Sequence, residues 1–571
     1  MPRPHLVPHS LKTRLLAAAL LVVGIWAAWV AWGRFRHEGG ATFESGVVQS
    51  FLEDRFAGLS GGVYHVRLGR IVFDLEHQGA RIDSAVITTD TVLNRQRRHP
   101  LPIVNAVLLE AQIRGVVRDA DGQGLAIEEI RFGRVDADLT FAPPDTLPPE
   151  AAPTVPDTGR SLVSWTLQLP AGAPQVRVAR IMLQGVTAVV RPAPGTGGRE
   201  QRVENLSLVL DSVRVDPRVE GLRVPVVVHD IRLLVSDYLG GWDSVSNLSV
   251  GKLQGSFRDS TLTGQALGLA PTRTIAQVFQ RGRQRRERFT LTVDSVTARG
   301  VDWTAAVSDG AIPLRYVRVD GADLLIFTDK RLAGQPTPRP RVPILQETLR
   351  RFGRPIAIDT VQLRHSRLRY QVRATEGEGI GEIDFEQLEA RLTGLRWRPD
   401  ERSTSVAVLA LQTQLWGVAP MTLIVRGPVG SSTPRADLEL TGGAMPITLA
   451  NALVPAIDPF DIKSGTLDSL KVFLTLDGDH ATGEALPFYK DLAVRGRSRG
   501  GFFARLARGA TEVIANSFVV RDDNPGRGGV MMVGTIDYTR DPWQAFWPFA
   551  WNSTRAALAQ VGKGKGTELH P

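Results

Sequence analysis

Beyond Gly58, apolar and polar residues alternate along most of the chain, the period of a β-strand with one buried face. A short template recurs inside that alternation: apolar, any, apolar, two residues, apolar, any, apolar. It reads VRLGRIVF from Val66, LAIEEIRF from Leu125 and VRVARIML from Val176. It returns as VVVHDIRL from Val226, LTVDSVTA from Leu291 and IAIDTVQL from Ile356, with a poorer copy, VRVDGADL, from Val317. Each half is a strand signal. The step between the halves is odd, so strict alternation would turn the second half to the opposite face. A bulge or tight turn at the two middle residues restores the face. Asp, Gly, Glu and Arg dominate those positions, which suits a bend. Unequal spacing of the copies argues against a strict solenoid. Further strands follow some copies: Val301 and Trp303 in GVDWTA, and Leu368, Tyr370 and Val372 in SRLRYQV. The repeated unit is strand, turn, strand. It predicts a mainly β fold built on a long, twisted, mostly antiparallel sheet.

The alternation is interrupted in places. Residues 46–58, GVVQSFLEDRFAG, place Val48, Phe51, Leu52 and Phe56 at helical spacing. Pro143 to Gly159 holds six prolines and reads as a linker, as does Pro-rich Gly334 to Pro343. ILQETLRRFGRP follows the second linker with a helical stripe of Leu345, Leu349 and Phe352, and Pro446 to Ile457 is another short helix candidate. These breaks divide the chain into β segments over 34–142, 160–333 and 344–540.

The N-terminus has a different pattern. Residues 15–33, LLAAALLVVGIWAAWVAWG, carry no charge. At about 1.5 Å per residue such a helix roughly spans a ~30 Å hydrocarbon core. Leu15, Leu16, Leu20, Leu21, Val22, Val23, Ile25, Trp26, Trp29, Val30 and Trp32 would form the anchor, the last tryptophans at interfacial depth. A cleaved signal peptide competes, but cleavage after Ala28 or Ala31 puts Trp26 or Trp29 where a small residue is wanted. The uncleaved anchor is the favoured reading. Residues 1–14 then lie in the cytoplasm, and the remainder of the chain lies outside it.

At the far end, Trp543, Phe546, Trp547, Phe549 and Trp551 fall within nine residues. Asp541 is a good N-cap and Pro542 a good first helical residue, which predicts a helix over 541–562. Trp543, Phe546, Trp547, Ala550 and Trp551 then share one face, extended by Thr554, Leu558 and Val561. Pro548 would kink this helix. Gly562 ends it, and residues 563–571 form a tail with Lys563 and Lys565. Gln544, Asn552, Arg555 and Gln560 make it a poor transmembrane span. Two readings stand for the aromatic face. It caps the open end of the protein's own sheet, or Trp543, Phe546, Trp547 and Trp551 contact a membrane or a partner.

Composition narrows the function classes. The chain has 571 residues, which favours two or more domains or one elongated domain. There is no cysteine, which removes disulfides, thiolate metal sites and cysteine nucleophiles together. Net charge is +9, mostly from scattered arginine, and no nucleic-acid module is present. The five arginines of RGRQRRERF, Arg281 to Phe289, read as a solvated loop or a charge-guarded strand edge, with binding to anionic lipid headgroups or a partner as the alternative. The ten histidines show no metal-ligand spacing, and HExxH, Gly-x-Ser-x-Gly, Walker and GxGxxG motifs are missing. Adjacent acids such as Glu128–Glu129 and Asp522–Asp523 point to opposite faces of a strand and cannot act on one bond. The expectation is a non-enzymatic protein without a cofactor or metal.

GTLDSLKVFLTLDGDHATGE, Gly465 to Glu484, and LPFYKDLAVR, Leu486 to Arg495, resemble the C-terminal part of AsmA-like proteins. IDTVQLRHSRLRY, from Ile358, resembles the strand repeat of that superfamily, which includes TamB-like proteins. Asn516 to Leu558 resembles the closing segment of an AsmA-related group of single-pass bacterial proteins. The resemblance is patchy and clearest after Ile356. It implies an inner-membrane anchor, a periplasmic bulk and a chorein-like sheet bent into an apolar groove that moves phospholipid toward the outer membrane. Val176, Val178, Ile181, Leu183, Leu291, Val293, Ile356, Ile358, Val361 and Leu363 then become candidate groove-lining residues. The implied partners are phospholipids, the inner membrane, and the outer membrane or an envelope protein at the C-terminal end. An apolar trough would hold acyl chains at about 25 cal/mol per Å² kept from water. The rival reading is a closed, self-packed scaffold that binds envelope proteins and carries no lipid.

Overall fold

The computed structural model describes residues 45–59, 61–74, 76–97, 101–118, 124–140, 163–167, 175–192, 199–215, 224–242, 245–272, 287–308, 311–331, 347, 355–374, 379–398, 405–430, 435–457, 460–496, 520–542 and 544–569. The chain is mainly β, a long, twisted, mostly antiparallel sheet with few short helices. It divides into two compact units. The first comprises Met1–Gly268 with Val301–Asp309; the second comprises Leu269–Gly300 with Gly310–Pro571. The N-terminal anchor segment, both Pro-rich linkers and most of the arginine run lie outside the described residues. No helix among the described residues is long and apolar enough to cross a membrane.

The first unit opens with a helix, Ser45–Leu59, followed by β1 (Tyr64–Leu68), β2 (Ile71–Asp74), β3 (Gly79–Thr89), β4 (Ile103–Arg114), β5 (Val117–Arg118), β6 (Gly124–Phe132) and β7 (Val135–Thr140). Then come β8 (Val163–Leu167), β9 (Gln175–Arg191), β10 (Gln201–Val215), β11 (Val224–Gly241), β12 (Ser246–Ser256) and β13 (Thr261–Pro271). β1 and β2 lie end to end along β3, which pairs with β4. β4 pairs with β6 and β7, both of which run parallel to β9. The order continues through β10 and β11 to β12. A parallel join needs a long connection, and the first Pro-rich linker falls between β7 and β9.

The core of this unit is packed. Leu52 and Phe56 of the helix meet Val66, Leu68, Ile127, Ile130, Val176, Val178 and their neighbours in one buried cluster. The helix is also tied to the sheet: Leu68 N donates to the Glu53 carboxylate at 2.7 Å, and Gln49 Nε2 donates to the Leu68 carbonyl at 2.5 Å.

The second unit contains β14 (Arg288–Arg299), β15 (Ile312–Asp329), β16 (Ile356–Arg373), β17 (Ile380–Trp397), β18 (Val406–Leu415), β19 (Ala419–Pro428), β20 (Arg435–Gly442) and β21 (Met445–Pro446). β22 (Phe460–Asp477), β23 (His480–Gly496), β24 (Met531–Thr539), the helix Phe546–Gly562 and β25 (Thr567–Leu569) complete it. Neighbours pair antiparallel in chain order, β20 and β21 sharing the edge of β22. β15 and β16 are the exception and run parallel, with the second Pro-rich linker between them.

The repeated template forms creases rather than turns. Val176, Val178 and Ile181 all belong to the same buried cluster although Val178 and Ile181 differ in parity. The two residues between them, Ala179 and Arg180, both face out and are exposed. In β9, β10 and β11 neighbouring strands step at the same place, so pairing there stays one-to-one: Val178↔Val213, Arg180↔Asp211, Ile181↔Leu210, and then Val213↔Val228, Asp211↔Asp230, Leu210↔Ile231. Some strands take the step with a left-handed residue, Ser212 at φ 55° and Gly321 at φ 65°; beyond its template copy, β16 has a left-handed residue at His365, φ 48°, where its pairing with β17 shifts register. Two successive outward residues explain the charge at the template's middle positions. Arg180 and Arg232 both bond the Asp211 carboxylate, at 2.9 and 2.7 Å.

Three elements differ from the sequence reading. GVDWTA is not a strand: Trp303–Ser308 is a short helix that Asp302 caps by accepting from Ala305 N at 3.0 Å. Trp303 stacks on Phe257 at 4.5 Å and donates to the Ser256 carbonyl. The SRLRYQV segment is not a separate strand, because β16 runs unbroken through the crease. Pro446 to Ile457 is mostly a 3-10 turn, Ile447–Ala452, followed by the short helix Val454–Ile457.

Candidate functional site

The register of the second unit lines up aliphatic side chains in rows across the strands. One row reads Val296, Val319, Leu363, Ala390, Leu411, Leu423, Leu440, Val472, Ala485, from β14 to β23. The next reads Ala298, Val317, Val361, Leu392, Leu409, Val425, Leu438, Leu474. Paired residues on neighbouring strands point to the same face, so each row is a stripe of hydrocarbon across the sheet. At ~4.8 Å per strand the longer row covers on the order of 40 Å.

Burial changes along the row. From Val296 to Leu440 every member is half-buried; Val472 is 3% exposed and Ala485 is fully buried. The C-terminal helix accounts for the difference. Phe549, Ala550 and Ala557 pack with Leu438, Val472, Leu474, Leu476, Ala485 and Ile536 in one cluster. Gly534 makes that close contact possible, since a Cβ there would meet the Ala557 carbonyl. Arg540, buried, fixes the approach to the helix: Nε bonds Asp479 at 2.8 Å and Nη1 donates to the Gln544 carbonyl at 2.8 Å. Over β14–β20 the apolar stripe remains half open.

The other face of these strands is polar. Arg396 pairs with Asp359 at 2.6 Å, Arg426 reaches Glu439 at 3.9 Å, and Thr475 bonds Asp437 at 2.8 Å. Along the crease, Arg318 grips Asp320 and holds its carboxyl below the usual carboxylate range. The sheet of this unit therefore has one hydrocarbon face and one solvated face. Such a face can take up apolar matter. Among the described residues no three His, Asp or Glu side chains converge as metal ligands.

The ten lining candidates divide between two environments. Val176, Val178 and Ile181 are core residues of the first unit, 1%, 1% and 6% exposed, with Leu183 packed against them. Val361 and Leu363 sit on the two rows of the second unit. Ile356 packs beside buried Trp397 and Val429 at one margin, and Ile358 pairs with Leu314 and Leu395 between. Leu291 is half-buried opposite Leu324, and Val293 is buried opposite Ala322. Missed from sequence were Leu409, Leu411, Leu423, Val425, Leu438 and Leu440. Their strands, β18 to β20, are short and carry no crease, so the template passes over them. Plain alternation in VAVLALQTQL and ADLELTG was the available signal.

The aromatic stretch is also rearranged. The helix begins at Phe546 with Ala545 as N-cap, later than residue 541. Pro548 thus lies in the first turn, where its missing N–H breaks no bond, so it introduces no kink. The buried face is Phe549, Ala550, Ser553, Thr554, Ala557 and Val561. Ser553 and Thr554 satisfy their hydroxyls on the Phe549 and Ala550 carbonyls. Phe546 is half-buried, while Trp547 and Trp551 are 52% and 48% exposed. Trp543 and the anchor residues lie outside the described residues.

The first unit offers a shallow depression of about 370 Å³ bordered by Ser207, Arg232, Gln254, Ser256, Thr261 and Thr263. Val209, Leu233 and Leu234 complete its lining, but it is small and open and Arg232 is already engaged by Asp211, so the longer apolar face of the second unit is the stronger site. No protein-family model matches the chain, and no curated protein matches its sequence.

Proposed function

We propose that this chain is an AsmA-like envelope protein, anchored in the bacterial inner membrane by residues 15–33, with its bulk in the periplasm. Its apolar sheet face carries phospholipid acyl chains between envelope membranes and so supports outer-membrane integrity. The observation that carries this reading is the continuous aliphatic row from Val296 to Leu440, half-buried on one face of the second unit. Acyl chains laid over it would be stabilised at about 25 cal/mol per Å² of apolar surface removed from water. Headgroups would stay at the open margin. Because each strand offers the same aliphatic surface, sliding by one strand costs little free energy.

The packed core of the first unit favours a second reading for that part of the chain. Val176 and Val178 leave no room for a ligand, so residues 45–268 act as a scaffold even if the second unit conducts lipid. Photocrosslinking separates the two. A photoreactive residue replacing Leu363 or Leu411 should capture phospholipid in living cells, and one replacing Val178 or outward-facing Gln412 should not. Protein adducts without lipid at Leu363 and Leu411 would favour the scaffold for the whole chain.

A further inference from the structure

The C-terminal helix has an outer shoulder that the sheet does not use. Trp547 and Trp551 are one turn apart on that shoulder and about half exposed, whereas the opposite side is locked into the core by Phe549, Ala557 and Val561. Leu558, partly buried, continues the same line. Trp547 meets Phe546 edge to face at 4.9 Å, yet about half of each tryptophan, the largest apolar side chains of the helix, stays uncovered. Their indole rings combine a broad apolar body with an N–H that wants a polar partner, the combination suited to a bilayer interface.

Charge points to the sign of that interface. From Pro542 to Thr567 the charged residues are Arg555, Lys563 and Lys565, and all are cations. Lys563 and Lys565 are exposed just past the helix end. Of the nearby acids, Asp479 pairs with buried Arg540 at 2.8 Å, Asp537 lies 3.3 Å from His480 on the surface, and exposed Glu568 is outnumbered by the two lysines that precede it. We infer that this shoulder docks on an anionic phospholipid surface, Trp547 and Trp551 entering the interface and Lys563 and Lys565 meeting headgroup phosphate. An amphipathic helix of this kind lies in the interfacial plane rather than spanning the bilayer. The inference concerns a bilayer surface and is independent of lipid handling by the sheet.

The test uses the full chain carried in phosphatidylcholine nanodiscs. The protein has no cysteine, so Ala559→Cys on the exposed side of the helix takes a single environment-sensitive fluorophore. Phosphatidylglycerol vesicles should shift its emission to the blue and raise it several-fold, and phosphatidylcholine vesicles should not. The response should vanish in Trp547→Ser/Trp551→Ser. It should weaken in Lys563→Gln/Lys565→Gln and in high salt, which screens charges beyond a few ångströms. Unchanged far-UV circular dichroism and a retained cooperative thermal transition verify that the variants fold. No response to anionic vesicles, or an undiminished response in the folded double-tryptophan variant, overturns the inference.

Discussion

Single residues carry the two features that hold the second unit together, a close helix contact and a creased sheet. Gly534→Ala would push a methyl group into the Ala557 carbonyl and lift the C-terminal helix. The expected cost is about 1–3 kcal/mol, read as a lowered thermal midpoint and faster proteolysis after residue 540. Gly321→Ala should also destabilise, because the position combines φ 65° with the Asp294 side chain packed where a Cβ would go. Asp479→Ala leaves the buried Arg540 guanidinium without its carboxylate and should cost about 2 kcal/mol, less than a fully buried pair because Asp479 itself is partly exposed. The crease also sets a pH dependence. Burial alone would raise the pKa of Asp211, but bonds from Arg180 and Arg232 outweigh it and hold the group below its usual value. The Arg318 hydrogen bond likewise lowers Asp320. Depressed carboxylates add stability above the unfolded-state value of about 3.9, and that stability is lost as pH falls through the folded value. Urea midpoints should therefore hold from neutral pH to about 5 and drop below about 4, with a shallower drop in Asp211→Asn.

At the scale of elements, the template positions were legible because burial on a strand follows the period of two. Leu125, Ile127, Ile130 and Phe132 are all buried as their spacing implies. How the odd step is absorbed was not legible. A lone strand needs a bulge to change parity, whereas β9, β10 and β11 step together and keep their ladder intact at the crease, while β16, β17 and β18 shift register; neighbours are invisible in a linear reading. GVDWTA failed for a related reason: Val301 and Trp303 alternate, but Asp302 is also a helix cap, and Phe257 supplies a stacking partner distant in sequence. At the C-terminus the aromatic periodicity located a helix but not its buried side. The contact is set by small residues, Ala550, Ser553 and Ala557, that allow the backbone to approach β24. The helix covers the Leu438–Leu474 end of the apolar face, in keeping with the capping alternative. Deleting residues 546–569 should bare that end, visible as increased binding of an apolar dye and a lower thermal midpoint.

At the scale of the whole molecule, composition and local motifs name no ligand, since an apolar face is written in no short motif. It emerges from register, which joins residues as distant as Val296 and Leu440 into one surface. Under the proposed reading, the anchor and the open row would let the protein hold hydrocarbon away from water outside the cytoplasm. Native mass spectrometry with lipid extraction, on residues 38–571 purified from bacteria without detergent, tests that claim most directly. The account predicts phospholipid bound to each chain and lost when Leu411→Asp and Leu423→Asp place carboxylates in the row. A stable, monodisperse and lipid-free protein would contradict it and leave an anchored scaffold.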